Sequence, residues 1–270
     1  MYGINIMYNN SEDIDGCPSS LHPNHDTCSS KQSVHIKQHK SDSSTYLGKN
    51  IMVIGKRRSG KTWFVIHEIY QKIQHDINNV FVILPSTGVG ADEVKEYDEI
   101  TDKTFNPTDL PTILSFITRD HKNGGKSLII VDNVSLENMI RDSFREIMFN
   151  GRHYGITLVV IQQYDSFTPQ VRNIIDVVVT AKDYNISSLK RTYEHYFGIF
   201  PTFSSFTSTN NILPKLSFLI KNGPESKPFE DCIGWCKVDN TKQNLRRMRC
   251  TQFLSGTGHV QIENDETIRE

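Results

Sequence analysis

An open α/β sheet, mostly parallel and with helices on both faces, is the fold class this sequence predicts. Three observations predict it. Apolar runs recur along the chain at Ile51–Ile54, Val80–Leu84, Ser127–Asp132, Ile156–Ile161 and Ile174–Thr180. They lack the in–out alternation of a half-exposed strand, so they read as strands buried on both faces. Segments with helical spacing lie between them, which calls for parallel strands joined by crossover helices. Finally, the first run passes through a glycine loop directly into a helical pattern, the order strand–turn–helix.

That loop organises the chain. Gly55-Lys56-Arg57-Arg58-Ser59-Gly60-Lys61-Thr62 fits G-x-x-x-x-G-K-[ST] between the strand IMVI and the helical WFVIHEIYQKI. The context turns the pattern into a phosphate-binding loop. A polyphosphate needs many donors at close range, and a wrapped loop offers backbone N–H groups plus the positive end of a helix. Gly55 and Gly60 permit backbone torsions and close approach that a side chain would block. Lys61 brings a charge to the β- and γ-phosphates, and the Thr62 hydroxyl is a ligand for Mg²⁺. The reading is a P-loop NTPase that binds ATP with Mg²⁺. The alternative is a glycine turn in a redox or sugar-phosphate fold.

Composition sets outer limits. At 270 residues the chain holds one large α/β domain or two small ones. A formal net charge of −1 excludes a protein whose whole surface drives nucleic-acid binding, so any DNA contact must come from local patches. Cys17, Cys28, Cys232, Cys236 and Cys250 are odd in number, which fits a reducing compartment better than a disulfide framework. No signal peptide is recognisable and no apolar run nears the length of a membrane span, so the reading is a soluble intracellular protein.

Taken in order, residues 1–45 are poor in aliphatics and rich in polar residues, and read as a mostly disordered tail. Cys17, His22, His25 and Cys28, followed by His35 and His39, stand either as a zinc knuckle of unfamiliar spacing or as a polar tail that happens to hold Cys and His. The domain proper is expected over 46–240, with its core at 50–180. The stretch Ser86–Pro107 reads as a polar insertion with at most short helices, and Leu110–His121 as a helix stopped by Asn123-Gly124-Gly125. SLIIVD ends in Asp132, an acid at the carboxyl end of a buried strand, placed to hold Mg²⁺ through water beside Thr62; the plainer reading is a solvated strand-end Asp. Leu136–Asn150 is helical by periodicity. ITLVVI follows the turn Gly151–Gly155 and ends at Gln162-Gln163. Ile186–Phe197 reads as a helix, the Ser/Thr/Phe/Pro stretch after it as a loop, and Leu216–Lys221 with Ile233–Val238 as a terminal strand pair. Residues 241–270 form a polar tail that begins with the basic NLRRMRC.

GKRRSGKT, LIIVD and NGRHYGITLVVIQQ together resemble the genome-packaging ATPases of poxviruses and related large DNA viruses, in the FtsK/HerA superfamily of DNA-pumping motors. The third block is the most specific: a short helix, an Arg, a Gly, a strand and a terminal Gln. The resemblance covers Asn50–Thr180, extends through Val238, and leaves out the chain before Ser44. It implies a RecA/FtsK-like fold of the additional-strand type. It implies ATP hydrolysis, double-stranded DNA bound without sequence preference, a homo-oligomeric ring, a capsid or portal partner, and a place in the host-cell cytoplasm, in a viral factory, or in the virion. Asp132 matches the acid that holds the metal, and Gln162 the polar sensor of the γ-phosphate. Arg152 matches the basic position before that strand and is the candidate arginine finger acting on a neighbouring subunit, with Arg141 and Arg145 as rivals; a plain surface arginine is the alternative. Asn133 departs from the pattern, which places a Glu there to polarise water. An amide can orient water but cannot take its proton. Either another acid such as Glu137 acts, or hydrolysis is slow, or orientation suffices. Lys56, Arg57 and Arg58, and Arg246, Arg247 and Arg249, are either grips for DNA phosphates or solvated charge. Two other functions compete: a nucleotide-binding switch or structural subunit with little hydrolysis, and a small-molecule or nucleotide kinase.

Overall fold

The computed structural model describes residues 3–9, 31–85, 94–134, 142–223, 228–238 and 245–248. Its centre is a run of parallel strands in the order β8 (Val177–Ala181), β3 (Asn50–Ile54), β7 (Ile156–Gln162), β6 (Ser127–Asp132), β4 (Asn79–Ile83) and β5 (Thr104–Phe105). β7 stands between β3, which feeds the glycine loop, and β6, which ends in Asp132. This is the additional-strand arrangement expected from the sequence. Beyond β8 the sheet turns mixed: β9 (Ser217–Asn222) runs antiparallel to β8, and β10 (Ile233–Lys237) antiparallel to β9.

Strand residues alternate between two apolar layers. Met52, Ile54, Ile129, Val131, Leu158 and Val160 face a core closed by the helices Leu110–His121, Asp142–Asn150, Ile186–Tyr196 and Phe203–Ile212. Ile51, Val53, Leu128, Ile130, Val159 and Ile161 face the helix after the glycine loop. Both layers exclude water, which is why these strands carry continuous apolar runs. The helix after the loop is α-helical at Lys61–Phe64, widens to a π-helix at Val65–Tyr70 and returns to α at Gln71–Ile73.

Three readings of the sequence need correction. The expected tail over 1–45 is ordered at two stretches: β1 (Gly3–Asn9) pairs antiparallel with β2 (Lys31–Gln38), which joins β10 in parallel and extends the sheet. The overlooked signal is alternation. Val34 and Ile36 are buried while His35 and Lys37 are exposed, so two aliphatics suffice for one covered face. Asp42 then caps a short helix, Ser43–Tyr46. Cys17, His22, His25 and Cys28 lie outside the described residues, and among the described ones no group of His, Cys, Asp and Glu could hold a metal.

Second, the expected loop after Phe197 contains the helix Phe203–Ile212, opened by a capping box in which Thr202 and Ser205 satisfy each other's amides. Its buried face carries Ser205, Thr209 and Asn210 beside Phe206, so apolar spacing alone does not reveal it. Third, β8 begins later than Ile174 because Arg172–Ile175 closes a turn, after which the Asp176 N–H donates to the Asn50 carbonyl (2.9 Å). Of the tail expected from 241, Leu245–Met248 is ordered against the domain through a bridge between Met248 and Thr101. Within the predicted helix Leu136–Asn150, the described part is Asp142–Asn150, and Glu137 and Arg141 lie outside the described residues.

Candidate nucleotide site

β3 ends at Ile54 and the chain turns across the carboxyl edge of the sheet. Gly55 donates its N–H to the Gln162 carbonyl (3.1 Å), continuing the β3–β7 ladder by one step. A side chain at Gly55 would meet Ser59 Oγ at 2.7 Å and Ala181 Cβ at 2.8 Å, so only glycine fits. Gly60 takes φ 86°, the left-handed region, and Arg58 takes φ 61°. The loop therefore alternates torsions that ordinary residues avoid, which is how successive amides are made to face one concavity. Ser59 Oγ is buried there without a hydrogen-bond partner.

Lys61 opens the following helix and lays its ammonium back across the loop, donating to the Lys56 carbonyl (2.8 Å). Burial lowers its pKa and Arg57 adds to this, while Asp132 and Glu96 oppose it. Two carboxylates thus bear on the loop's central cation. Lys56, predicted to bind phosphate, is instead ion-paired to Asp183 (2.6 Å), which follows β8. Burial works against the Asp183 carboxylate, yet the Lys56 ammonium and the amides of Tyr184 and Asn185 hold its pKa below the usual range. Asn210, on the helix missed by the sequence reading, donates to the Asp183 carbonyl and accepts from its N–H (3.1 Å).

Asp132 sits at the end of β6, in register with Ile161 of β7. Its Oδ2 accepts from the hydroxyl of Tyr97 (2.8 Å), and the Thr62 side chain acts on the same phenol. Thr62 and Asp132 are thus brought to the same phenol at one end of the sheet. A hydroxyl and a carboxylate are the hard oxygen donors that Mg²⁺ takes, and the ammonium and glycine loop beside them suit a triphosphate. Tyr97 is buried, and burial raises its pKa well above the usual value, with the Asp132 charge second; the hydroxyl stays a donor.

Asn133 takes φ 53° and donates its N–H to the Ile161 carbonyl (2.9 Å); its side-chain oxygen accepts from Gln163 (3.4 Å). Gln162 is buried, and its amide donates to the Val134 carbonyl (3.1 Å). The end of β7 is thus tied to the segment that leaves Asp132. The register of β3, β6 and β7 brings Gly55–Thr62, Asp132, Asn133 and Gln162 to one edge.

Arg152 is not brought there. It precedes β7 and so lies at the opposite edge, roughly 20 Å away along that strand. Its guanidinium grips both oxygens of Asp176 (2.8 Å each), and Asp176 also accepts from the Asn50 N–H (2.9 Å). Arg145 is exposed and lies over the Phe149 ring. Arg246 and Arg247 are exposed, and Arg249 lies outside the described residues. The sequence reading missed Tyr97 and Glu96, which stand in the polar insertion, and Asp183; none carries a motif that marks it. A cavity of about 380 Å³ lies elsewhere, toward the amino end of β8, lined by Arg172, Asp176, His195, Tyr196 and Lys221, with no residue of the glycine loop.

No family model matches this sequence. It is similar to the uncharacterised protein 088R of Invertebrate iridescent virus 3, with 25% identity over 220 residues, or 76% of this chain and 82% of that one. It is also similar to the uncharacterised protein L437 of Acanthamoeba polyphaga mimivirus, with 25% identity over 214 residues, or 72% and 74%. In structure it is similar to the genome packaging NTPase B204 of Sulfolobus turreted icosahedral virus 2 in complex with AMPPCP, with TM-score 0.54 and 14% identity over 71% of this chain and 98% of that one. The second and third ATPase domains of EssC from Geobacillus thermodenitrificans match with TM-score 0.52 and 12% identity, over 80% and 43%. At these identities the likeness is one of fold: the chain has the fold of P-loop ATPases, as its motifs implied. Among the described residues no helix is long and apolar enough to cross a membrane.

Proposed function

We propose that this chain is an ATPase that moves double-stranded DNA, as a ring of identical subunits, during packaging of a viral genome into its capsid. The observation that carries the reading is the meeting of Lys61, Thr62, Asp132 and Gln162 at one sheet edge, with the Tyr97 phenol bonded to Asp132 there. Support comes from the fold shared with a viral genome packaging NTPase and from relatives in viruses.

In this reading the loop amides and Lys61 bind and orient the phosphates of ATP, and Thr62 and Asp132 hold Mg²⁺, which neutralises charge on the transferred phosphoryl. Asn133 orients the attacking water without accepting its proton, so hydrolysis is slow. Gln162 registers the γ-phosphate and passes its loss to Val134 and the segment beyond. Arg246 and Arg247 meet DNA phosphates, and Arg152 serves a neighbouring subunit once its bond to Asp176 opens.

An ATPase assay with and without long duplex DNA, on wild type and Lys61→Ala, tests this. Turnover that rises with DNA and vanishes in the variant is expected. Turnover indifferent to DNA but dependent on a small acceptor would replace the reading with a kinase. A second reading, a nucleotide-gated switch, is favoured by the amide at Asn133; tight ATP binding with no measurable turnover in either condition would select it.

A further inference from the structure

Tyr97 joins two features that the proposed function keeps apart. Its hydroxyl donates to Asp132 (2.8 Å), one of the two groups that would hold the metal, and the other, Thr62, acts on the same phenol. Its backbone carbonyl accepts from the N–H groups of both Ile100 and Thr101 (3.0 Å each), closing one tight turn. At the end of that turn Thr101 bridges in parallel to Met248, and the Met248 N–H donates to the Ile100 carbonyl (2.9 Å). Tyr97, Ile100 and Met248 are all buried in the same apolar layer, so the turn and the segment move as a packed unit.

The same segment is held from its other side by the helix that carries Thr62. The Tyr70 hydroxyl donates to the Arg246 carbonyl, and Gln74 Oε1 accepts from the Arg246 N–H (2.8 Å). Between Thr62 and Gln74 the helix contains the π-helical Val65–Tyr70, and such wider turns collect at functional sites. Leu245–Met248 thus rests on the two elements that carry Tyr97 and Thr62, with its own Arg246 and Arg247 side chains in solvent.

We propose that Tyr97 is a positioning residue of the nucleotide site: its hydroxyl orients the Asp132 carboxylate for the metal, and its turn couples that orientation to the basic segment Leu245–Met248. This rests on the reading of the site as one for ATP and magnesium. The outer partner of a metal ligand fixes the ligand's orientation, and losing it weakens metal binding about 10–100-fold. A change at the metal end also has a short covalent and hydrogen-bonded path, from Tyr97 through Ile100 to Met248, to the arginines proposed to meet DNA phosphates.

The test uses the full chain and Tyr97→Phe, which keeps the buried ring and removes only the hydroxyl. Binding of a non-hydrolysable ATP analogue is measured with magnesium and with EDTA, alongside melting temperature. Hydrogen exchange is followed at the Arg246 and Met248 amides with and without the magnesium–analogue complex. In Tyr97→Phe the affinity with magnesium is expected to fall about 10–100-fold while the affinity in EDTA stays unchanged. Exchange at Arg246 and Met248 is expected to respond to the complex in wild type and not in the variant. Unchanged or tighter magnesium-dependent binding in Tyr97→Phe, or an equal exchange response at saturation, overturns the proposal while leaving the nucleotide reading intact. Wild-type protein that binds no analogue in either condition overturns the nucleotide reading itself, and this proposal with it.

Discussion

Asn133→Glu separates the two readings of this site most sharply. Asn133 occupies the left-handed region at φ 53°, where Asn is tolerated far better than Glu. The exchange therefore costs about 1–2 kcal/mol in backbone strain and breaks the 3.4 Å contact from Gln163, which is too long to add much. A strain of that size lowers the melting temperature by about 2–8 °C in a domain of this size. Against it stands a carboxylate beside the attacking water, and a positioned general base contributes about 10²–10⁴-fold, or roughly 2.7–5.4 kcal/mol of barrier. The chemical gain exceeds the strain, so single-turnover hydrolysis in Asn133→Glu should run at least about 100-fold above wild type despite a lower melting point. Asn133→Gly is the backbone control: it relieves the strain and supplies no base, so it should melt no lower than wild type and hydrolyse no faster. If Asn133→Glu folds, binds ATP and turns over at the wild-type rate, the amide is not what limits hydrolysis and the base lies elsewhere.

Other perturbations follow from the same geometry. Gly60→Ala places a Cβ at φ 86° and 3.3 Å from Leu216 Cδ2, so it should cost about 1–2 kcal/mol and weaken ATP binding in a titration at least tenfold. Arg152→Ala removes an exposed pair worth up to about 1 kcal/mol, so the melting point should barely move and ATP affinity should hold; a loss of turnover of about 10³-fold or more in the assembled form would mark a finger acting in trans. Thr202→Ala removes the cap of Phe203–Ile212 and should cost about 1 kcal/mol in denaturant unfolding. Asp183 has a pKa held below the 3.8 of its unfolded form, so its contribution is complete above that value and is lost as pH falls through the lower folded one. Acid unfolding of Asp183→Asn should lack that component, which a pH series of melting temperatures would show.

The parallel core was legible because water is excluded from both of its faces, and the runs Ile51–Ile54, Ser127–Asp132 and Ile156–Ile161 say so without help from the rest of the chain. The glycine loop was legible because few residues other than glycine take its torsions. What escaped were elements whose burial is local or polar. β2 covers one face with Val34 and Ile36, too little to stand out in a polar stretch, and Phe203–Ile212 buries hydroxyls and an amide that look solvent-facing in a sequence. Arg152 is a different case. Its place in the motif suggested a finger acting on a neighbouring subunit, and the direction of β7, which sends the residue before the strand to one edge and Gln162 to the other, keeps it away from the nucleotide edge of its own chain. Tyr97 could not have been found from spacing, because its partner Asp132 stands at the end of β6 and the two meet only when the sheet is assembled.

The loop's charges divide their work, and the division follows from where each side chain is anchored. Lys56 is held by Asp183, whose backbone is fixed in turn by Asn210, so a cation that the motif offers to phosphate serves instead to pin the loop to the end of β8. Lys61, half-buried and turned back across the loop, keeps its charge in a setting that burial disfavours and that Asp132 and Glu96 relieve. A triphosphate brought to this edge offers Lys61 a stronger partner than the Lys56 carbonyl while leaving Lys56 where it is. Lys56→Ala should therefore loosen the loop and lower the melting temperature with a modest loss of ATP affinity, whereas Lys61→Ala should abolish binding of the triphosphate and leave the melting temperature of the free protein nearly unchanged. Equal losses of affinity in the two variants would mean that both cations reach the phosphates and that the bond to Asp183 yields when nucleotide arrives.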